Sequence, residues 1–316
     1  MARIGLVLGA GGSVGHAYHA GVLAGIEEGT GWDPRRAEVI VGTSAGSVVA
    51  ALLRAGLDAN DLARASLGEE LSRPGAELLA RSGRRTRLET PGPQHADVAR
   101  GPSAAGLLLR PWGVRPGVLA AALLPSGTVS TEAVAAGIRG LYGTAWPDRP
   151  TWICATRLDD GKQVAFGRTG SPPASMADAV AASCAIPAYF RPVLIGGNRY
   201  VDGGTHSVTN AELLAGLGLD LVIVSCPMGG TRDAIGLGLD LPVRAGVRAR
   251  LSREVAAIRR SGTPVLTFQP TRPERQAMGS NPMNPRVGPA VTRAARNSTL
   301  ARLAEDGVRE RIAALA

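Results

Sequence analysis

The sequence predicts an α/β protein: a three-layer α/β/α sandwich with a mostly parallel central sheet, formed by residues 1–316 as a single domain. Three observations predict it. Short apolar, β-branched runs alternate with helical stretches rich in alanine and leucine, the pattern of strand–helix units around a parallel sheet. The first two of these strands run directly into glycine-bearing turns and then into helices. The chain is long enough for one large core, yet only 3% of it is aromatic, so that core is built from Ala, Val, Leu and Ile.

The elements follow in order. Residues 4–8 read as a strand, 9–15 as a glycine loop and 16 to about 28 as a helix. A second strand covers 39–41. The helix that begins at Ala45 ends near Gly56, and Asp58 or Asn60 caps another. Residues 70–115 break the pattern. Pro74, Pro91, Pro93, Pro102 and Pro111 punctuate a weakly periodic stretch that also carries Arg81, Arg84, Arg85 and Arg87. It reads as an irregular lid-like insertion or a solvated basic loop. Regular structure returns with a strand at 151–156, its hairpin partner at 163–166, and a small-residue helix at 175–183 that stops before Ile186-Pro187. Short strands at 192–195 and 199–201 flank Gly196-Gly197-Asn198, and 219–225 and 265–268 read as buried strands. Residues 241–260 form a basic amphipathic helix, with Arg244, Arg248, Arg253 and Arg260 beside Val243, Val247, Leu251, Val255 and Ile258. Such a helix packs on its own core or lies on a membrane surface. The Pro- and Asn-rich stretch 269–289 reads as a surface loop. A C-terminal helical region spans about 286–316, its main helix running from 291 to 315 with a break at Gly307.

Composition narrows the function classes. The net charge of +9 is almost all arginine, because Lys162 is the only lysine. With so much Ala and Gly, that bias points to a GC-rich coding sequence rather than to a nucleic-acid partner. It remains compatible with peripheral contact with anionic membranes. Cys154, Cys184 and Cys226 are widely spaced in apolar segments and read as buried free thiols. No signal-peptide pattern is visible at the N-terminus, and no apolar run approaches the roughly 18 residues that span a bilayer. The expectation is a soluble cytoplasmic protein. No calcium-loop pattern is visible, and neither a metal nor a cofactor is expected.

The chemistry is concentrated in three places. Gly42-Thr43-Ser44-Ala45-Gly46 lies at a strand-to-helix junction, the arrangement of a nucleophile elbow. Such a turn strains the serine backbone and presents its hydroxyl at the positive end of a helix. A buried serine in an ordinary turn would read the same way from the pentapeptide alone. The second place is the loop Gly9-Ala10-Gly11-Gly12-Ser13-Val14-Gly15, whose backbone amides can approach a reacting carbonyl closely. Oxyanion donors of that kind are worth roughly 3–4 kcal/mol each in a transition state. A dinucleotide cradle fits worse, since the sixth position from Gly9 is Val14 rather than glycine. The third place is Asp202-Gly203-Gly204, at the end of a short strand.

A serine nucleophile needs a base. The four histidines are His16, His19, His95 and His206. His16 and His19 sit on the helix after the glycine loop, and His95 lies in the irregular stretch. His206 follows Asp202 by only four residues, an awkward spacing for a triad drawn from separate loops. Asp202 is the better base, because a carboxylate in a dry pocket gains proton affinity.

Taken together these blocks resemble the patatin-like phospholipases. The resemblance rests on the glycine loop continuing into Ala17-Tyr18-His19-Ala20-Gly21-Val22-Leu23, on the elbow, and on Asp202-Gly203-Gly204. The approach Ala182-Ser183-Cys184-Ala185-Ile186-Pro187, then Phe190, Pro192-Val193 and Tyr200-Val201, adds to it, as does Asn210. What the resemblance implies is a Ser44–Asp202 dyad without histidine, an acyl-enzyme intermediate, and an oxyanion hole from the amides of Gly11, Gly12 and Ser13. Gly9, Gly15, Gly42, Gly46, Gly203 and Gly204 would be the motif glycines. The substrate would be a lipid or other acyl ester, and the chemistry would need no calcium. One position departs from the pattern: many members carry Arg or Lys before the last loop glycine, where this chain has Val14. That favours a general acyl-ester hydrolase over a strict phospholipase. An acyltransferase using the same dyad, or a non-catalytic lipid- or membrane-binding protein on the same fold, would share these motifs.

Overall fold

The computed structural model describes residues 2–83, 127–231, 241–305, 307, 308 and 312. Eight strands form one mixed sheet. Its body is parallel: β1 (Ile4–Leu8), β2 (Val39–Thr43), β3 (Thr151–Arg157), β7 (Leu221–Ser225) and β8 (Val265–Phe268) lie in the order β3-β2-β1-β7-β8. Three short strands close the other end with antiparallel pairing: β4 (Gln163–Phe166) and β6 (Asn198–Asp202) pair with β3, and β5 (Val193–Ile195) with β6. Every residue of β1, β2 and β7 is buried, as expected of central parallel strands covered on both faces.

Successive side chains divide between the two faces. Leu6, Leu8, Ile40, Ile153 and Ile223 enter one apolar cluster, while Val7, Val39, Val41, Val222 and Val224 enter the other. The first face is the thicker. Residues of helices α1 (Gly12–Thr30), α2 (Ala45–Arg54), α3 (Ala59–Leu67), α4 (Arg73–Arg81), α5 (Glu132–Tyr142) and α6 (Met176–Ser183) join its cluster. The second face is covered by α7 (Leu241–Arg260) and by a short 3-10 turn, Ala211–Leu214. Two further helices, α8 (Arg272–Met278) and α9 (Gly288–Leu303), return to the first face, where α9 packs along α1.

Several boundaries differ from the sequence reading, each for a local reason. The stretch 70–115 opens with regular structure: α4 has Ser72 as its N-cap, its hydroxyl accepting from the Gly75 amide, and Pro74 sits in the first turn, where no N–H is needed. From residue 84 the stretch lies outside the described residues, with His95, Arg84, Arg85 and Arg87. Residues 269–289 are not all loop either. Thr271 and Glu274 form a capping box that starts α8, a Thr-x-x-Glu signal overshadowed by the prolines. The last long helix starts earlier than expected and runs from Gly288 to Leu303; residues 307, 308 and 312 are helical again, so the break falls just before Gly307. Asp58 rather than Asn60 caps α3, accepting from the Asp61 amide at 2.6 Å. Val247, Leu251, Val255 and Ile258 of α7 are buried as the amphipathic pattern requires, but Val243 stands exposed and Arg244 turns inward to donate to the carbonyls of Pro227 and Gly229. The three cysteines are buried and free. Among the described residues no helix is long and apolar enough to cross a membrane.

Candidate active site

The register of β3 brings the sequence motifs together. Strand β2 runs parallel to β3 and its last residue, Thr43, pairs with Cys154. Strand β6 runs antiparallel to β3 and its last residue, Asp202, pairs with Ala155. The two strands therefore lie end to end against β3 and finish at adjacent positions. Ser44 leaves one and Asp202 ends the other, so residues 158 apart in the chain are forced face to face.

Ser44 has φ 53° and ψ −120°, one of three non-glycine residues with positive φ among those described. That conformation is costly for a side-chain-bearing residue and persists only where surroundings enforce it. Here the enforcement is dense. The Ser44 amide donates to the Ser183 hydroxyl at 2.9 Å, and the Ser44 carbonyl accepts from the Ser47 amide at 2.9 Å and the Ser47 hydroxyl at 2.6 Å. Gly46 lets α2 cross hard against β1; a Cβ there would overlap the Leu8 carbonyl. Gly42 ends its run within β2. Ser44 itself is 4% exposed and Asp202 5%.

Burial pushes the Asp202 carboxyl up to about 6, and hydrogen bonding from the Ser44 hydroxyl and from the Gly204 amide opposes that rise. The Gly204 bond measures 2.7 Å. Gly203 carries the chain past β3 so closely that a Cβ would overlap the Cys154 carbonyl. His206 is half-buried at the end of the following 3-10 turn, its amide donating to the Gly203 carbonyl.

The glycine loop is held on both sides. The Gly9 amide donates to Ser225 O at 2.9 Å and the Ala10 amide to Val208 O at 2.8 Å. Farther on, Val14 donates to Pro282 O at 3.0 Å and Gly15 to Gly11 O at 2.8 Å. Between these lie the amides of Gly11, Gly12 and Ser13, at the start of α1, where the first helical N–H groups have no acceptor within the helix. Donors left over at a helix N-terminus are suited to a developing negative charge. Val14 itself is buried in the core.

A family model described as patatin-like phospholipase matches residues 6–215. The chain belongs to this family. No curated protein matches it. Among solved structures it is similar to the type III effector protein ExoU, at 19% identity and a TM-score of 0.39 over 98% of this chain and 53% of ExoU. It is also similar to VipD from Legionella pneumophila, at 14% identity and a TM-score of 0.40 over 94% of this chain and 67% of VipD. The chain thus spans about half the length of ExoU.

Within this patatin-like framework three supporting residues carry roles that their sequence positions did not reveal. His19 is fully buried beneath the glycine loop. One ring nitrogen, Nε2, lies 2.7 Å from the Gly9 carbonyl and therefore donates; Nδ1, 2.8 Å from the Ser225 hydroxyl, accepts. Burial pulls its pKa down to about 4, so the ring stays neutral and keeps that donor–acceptor arrangement. Asn210 donates through Nδ2 to Thr43 Oγ1 at 3.0 Å and to Ser207 O at 2.6 Å, tying the loop beyond Asp202 to the residue before Ser44. Glu254, buried on α7, accepts from the Ser207 and Thr209 hydroxyls, the Ala211 amide and Arg250. An acid at a core position of a basic helix is the signal that could have marked it. The arginines at the far end of α7, Arg259 and Arg260, do not border the site: Arg259 donates to the carbonyl of Val265, where β8 begins, at the opposite end of the sheet from Ser44.

Proposed function

We propose that this patatin-like protein is a serine lipid acyl hydrolase working through a Ser44–Asp202 dyad. The observation that carries the proposal is the end-to-end meeting of β2 and β6 on β3, which faces the strained Ser44 with a buried carboxylate of raised proton affinity. Ser44 Oγ attacks the ester carbonyl while Asp202 takes its proton. The tetrahedral oxyanion is held by the amides of Gly11, Gly12 and Ser13. Collapse expels the alcohol, which receives the proton from Asp202, and leaves an acyl-enzyme. Water, deprotonated by the same carboxylate, then releases the fatty acid. At neutral pH a base with pKa near 6 is mostly ionised yet far more basic than an exposed aspartate. Lipid would approach the carboxyl ends of the parallel strands, where Ser44 lies, in a single domain.

The test is hydrolysis of a short p-nitrophenyl ester. Ser44→Ala abolishes it while the variant stays folded, and His206→Ala leaves it nearly intact. A folded Ser44→Ala that keeps the wild-type rate removes the nucleophile from the scheme. Labelling of Ser44 by a fluorophosphonate separates an enzyme from a lipid binder on the same fold, and product analysis with added alcohols separates hydrolysis from acyl transfer.

A further inference from the structure

We infer that Ser183 is a positioning residue for the Ser44–Asp202 pair: its hydroxyl, inserted between the Ser44 amide and the Cys154 carbonyl, sets the nucleophile's turn against the strand that aligns the base. The inference rests on the reaction proposed above.

The need for such a residue comes from the elbow. With φ at 53°, the Ser44 amide is turned out of the hydrogen-bonding ladders of both β2 and α2. A buried amide without an acceptor is strongly disfavoured. Ser183 supplies that acceptor from the end of α6, at 2.9 Å, and its hydroxyl donates to Cys154 O at 2.6 Å. A hydroxyl that donates and accepts at once is locked in orientation, and each bond polarises the other.

Cys154 is also where the two halves of the site are measured. It is the register partner of Thr43, the residue before Ser44, and its successor Ala155 is the partner of Asp202. Gly203 packs against the carbonyl that Ser183 binds. One side chain therefore touches the backbone of the nucleophile and the strand position that places the base. The other bonds to the turn, from the Ser47 amide and hydroxyl and from Cys184 Sγ at 3.5 Å, all hold the Ser44 carbonyl. Among the described residues, the amide side depends on Ser183 alone. Ser183 has no exposed surface, so it cannot meet substrate; it acts through Ser44.

Steady-state kinetics of Ser183→Ala on the p-nitrophenyl ester, with melting and fluorophosphonate labelling measured on the same samples, tests this. The expected result is a fall in kcat of about 10- to 100-fold with KM unchanged, since small misplacements of reacting groups have costs of this order, and a parallel fall in the labelling rate at Ser44. A residue that only stabilises the fold would lower the melting temperature and leave kcat per folded molecule alone; that outcome overturns the inference. If Ser183→Ala does not fold, Ser183→Cys, which keeps a side chain of similar size but displaces the acceptor, is read by the same criterion. Ser44→Ala runs alongside. If it is inactive while a folded Ser183 variant turns over at the wild-type rate, this inference falls and the reaction stands. If Ser44→Ala is active, the reaction itself falls.

Discussion

Asp202→Asn should make the protein more stable at neutral pH while destroying its activity. The folded carboxyl titrates at about 6, against an ordinary value of 3.8. Folding therefore favours the protonated form, and ionising Asp202 costs the folded state more than the unfolded one. The sign follows from linkage. Because the folded state holds this proton more tightly, stability is lost as pH rises from near 4 through 6, and the loss is complete above that. Linkage with these two values gives a cost of roughly 1–2 kcal/mol at pH 5 and roughly 3 kcal/mol at pH 8. Asparagine keeps the shape and an oxygen to accept from the Gly204 amide at 2.7 Å, but carries no charge. The Asn variant should thus gain melting temperature over the wild type, with a gain at pH 8 about twice that at pH 5. Ester hydrolysis should be lost across the same range. Thermal melts at the two pH values and a p-nitrophenyl assay on the same samples suffice. A variant less stable than wild type at pH 8, or one whose advantage does not grow with pH, would refute the assignment of Asp202 as a buried carboxylate held ionised for function.

Two further outcomes follow from the same geometry. The acid limb of kcat/KM should have its midpoint near pH 6 and fall about tenfold per pH unit below it; a limb near 4 would show that burial does not raise the working carboxyl. His19→Ala leaves the Gly9 carbonyl and the Ser225 hydroxyl without their buried partner, at about 1–3 kcal/mol for each group. It should lower stability and, because the Gly9 peptide anchors the donor loop, lower kcat as well; unfolding curves with activity measured per folded molecule check both.

Much of this molecule is legible from local pattern. The β-branched runs around Ile4, Val39 and Leu221 became strands because continuous apolar segments are stable only when buried on both faces. Gly42-Thr43-Ser44-Ala45-Gly46 declared a tight strand-to-helix crossing, since only glycine at position 46 clears the Leu8 carbonyl. The capping box at Thr271 and Glu274 was equally local and was masked only by nearby prolines. The C-terminal helix was harder to bound, because its ends depend on packing along α1 rather than on strong caps.

The sequence by itself determined the fold class, the family, and the residue types at Ser44, Asp202 and the glycine loop, because turns, strand runs and glycine spacing are written in neighbouring residues. Only the tertiary structure decided how they meet. It showed that β2 and β6 end against each other on β3, that burial lifts the Asp202 carboxyl to about 6, and that His19 and Ser183 serve as buried struts rather than surface side chains. Those outcomes depend on registry and burial between segments far apart in the chain, and no local pattern encodes the distance between two such segments.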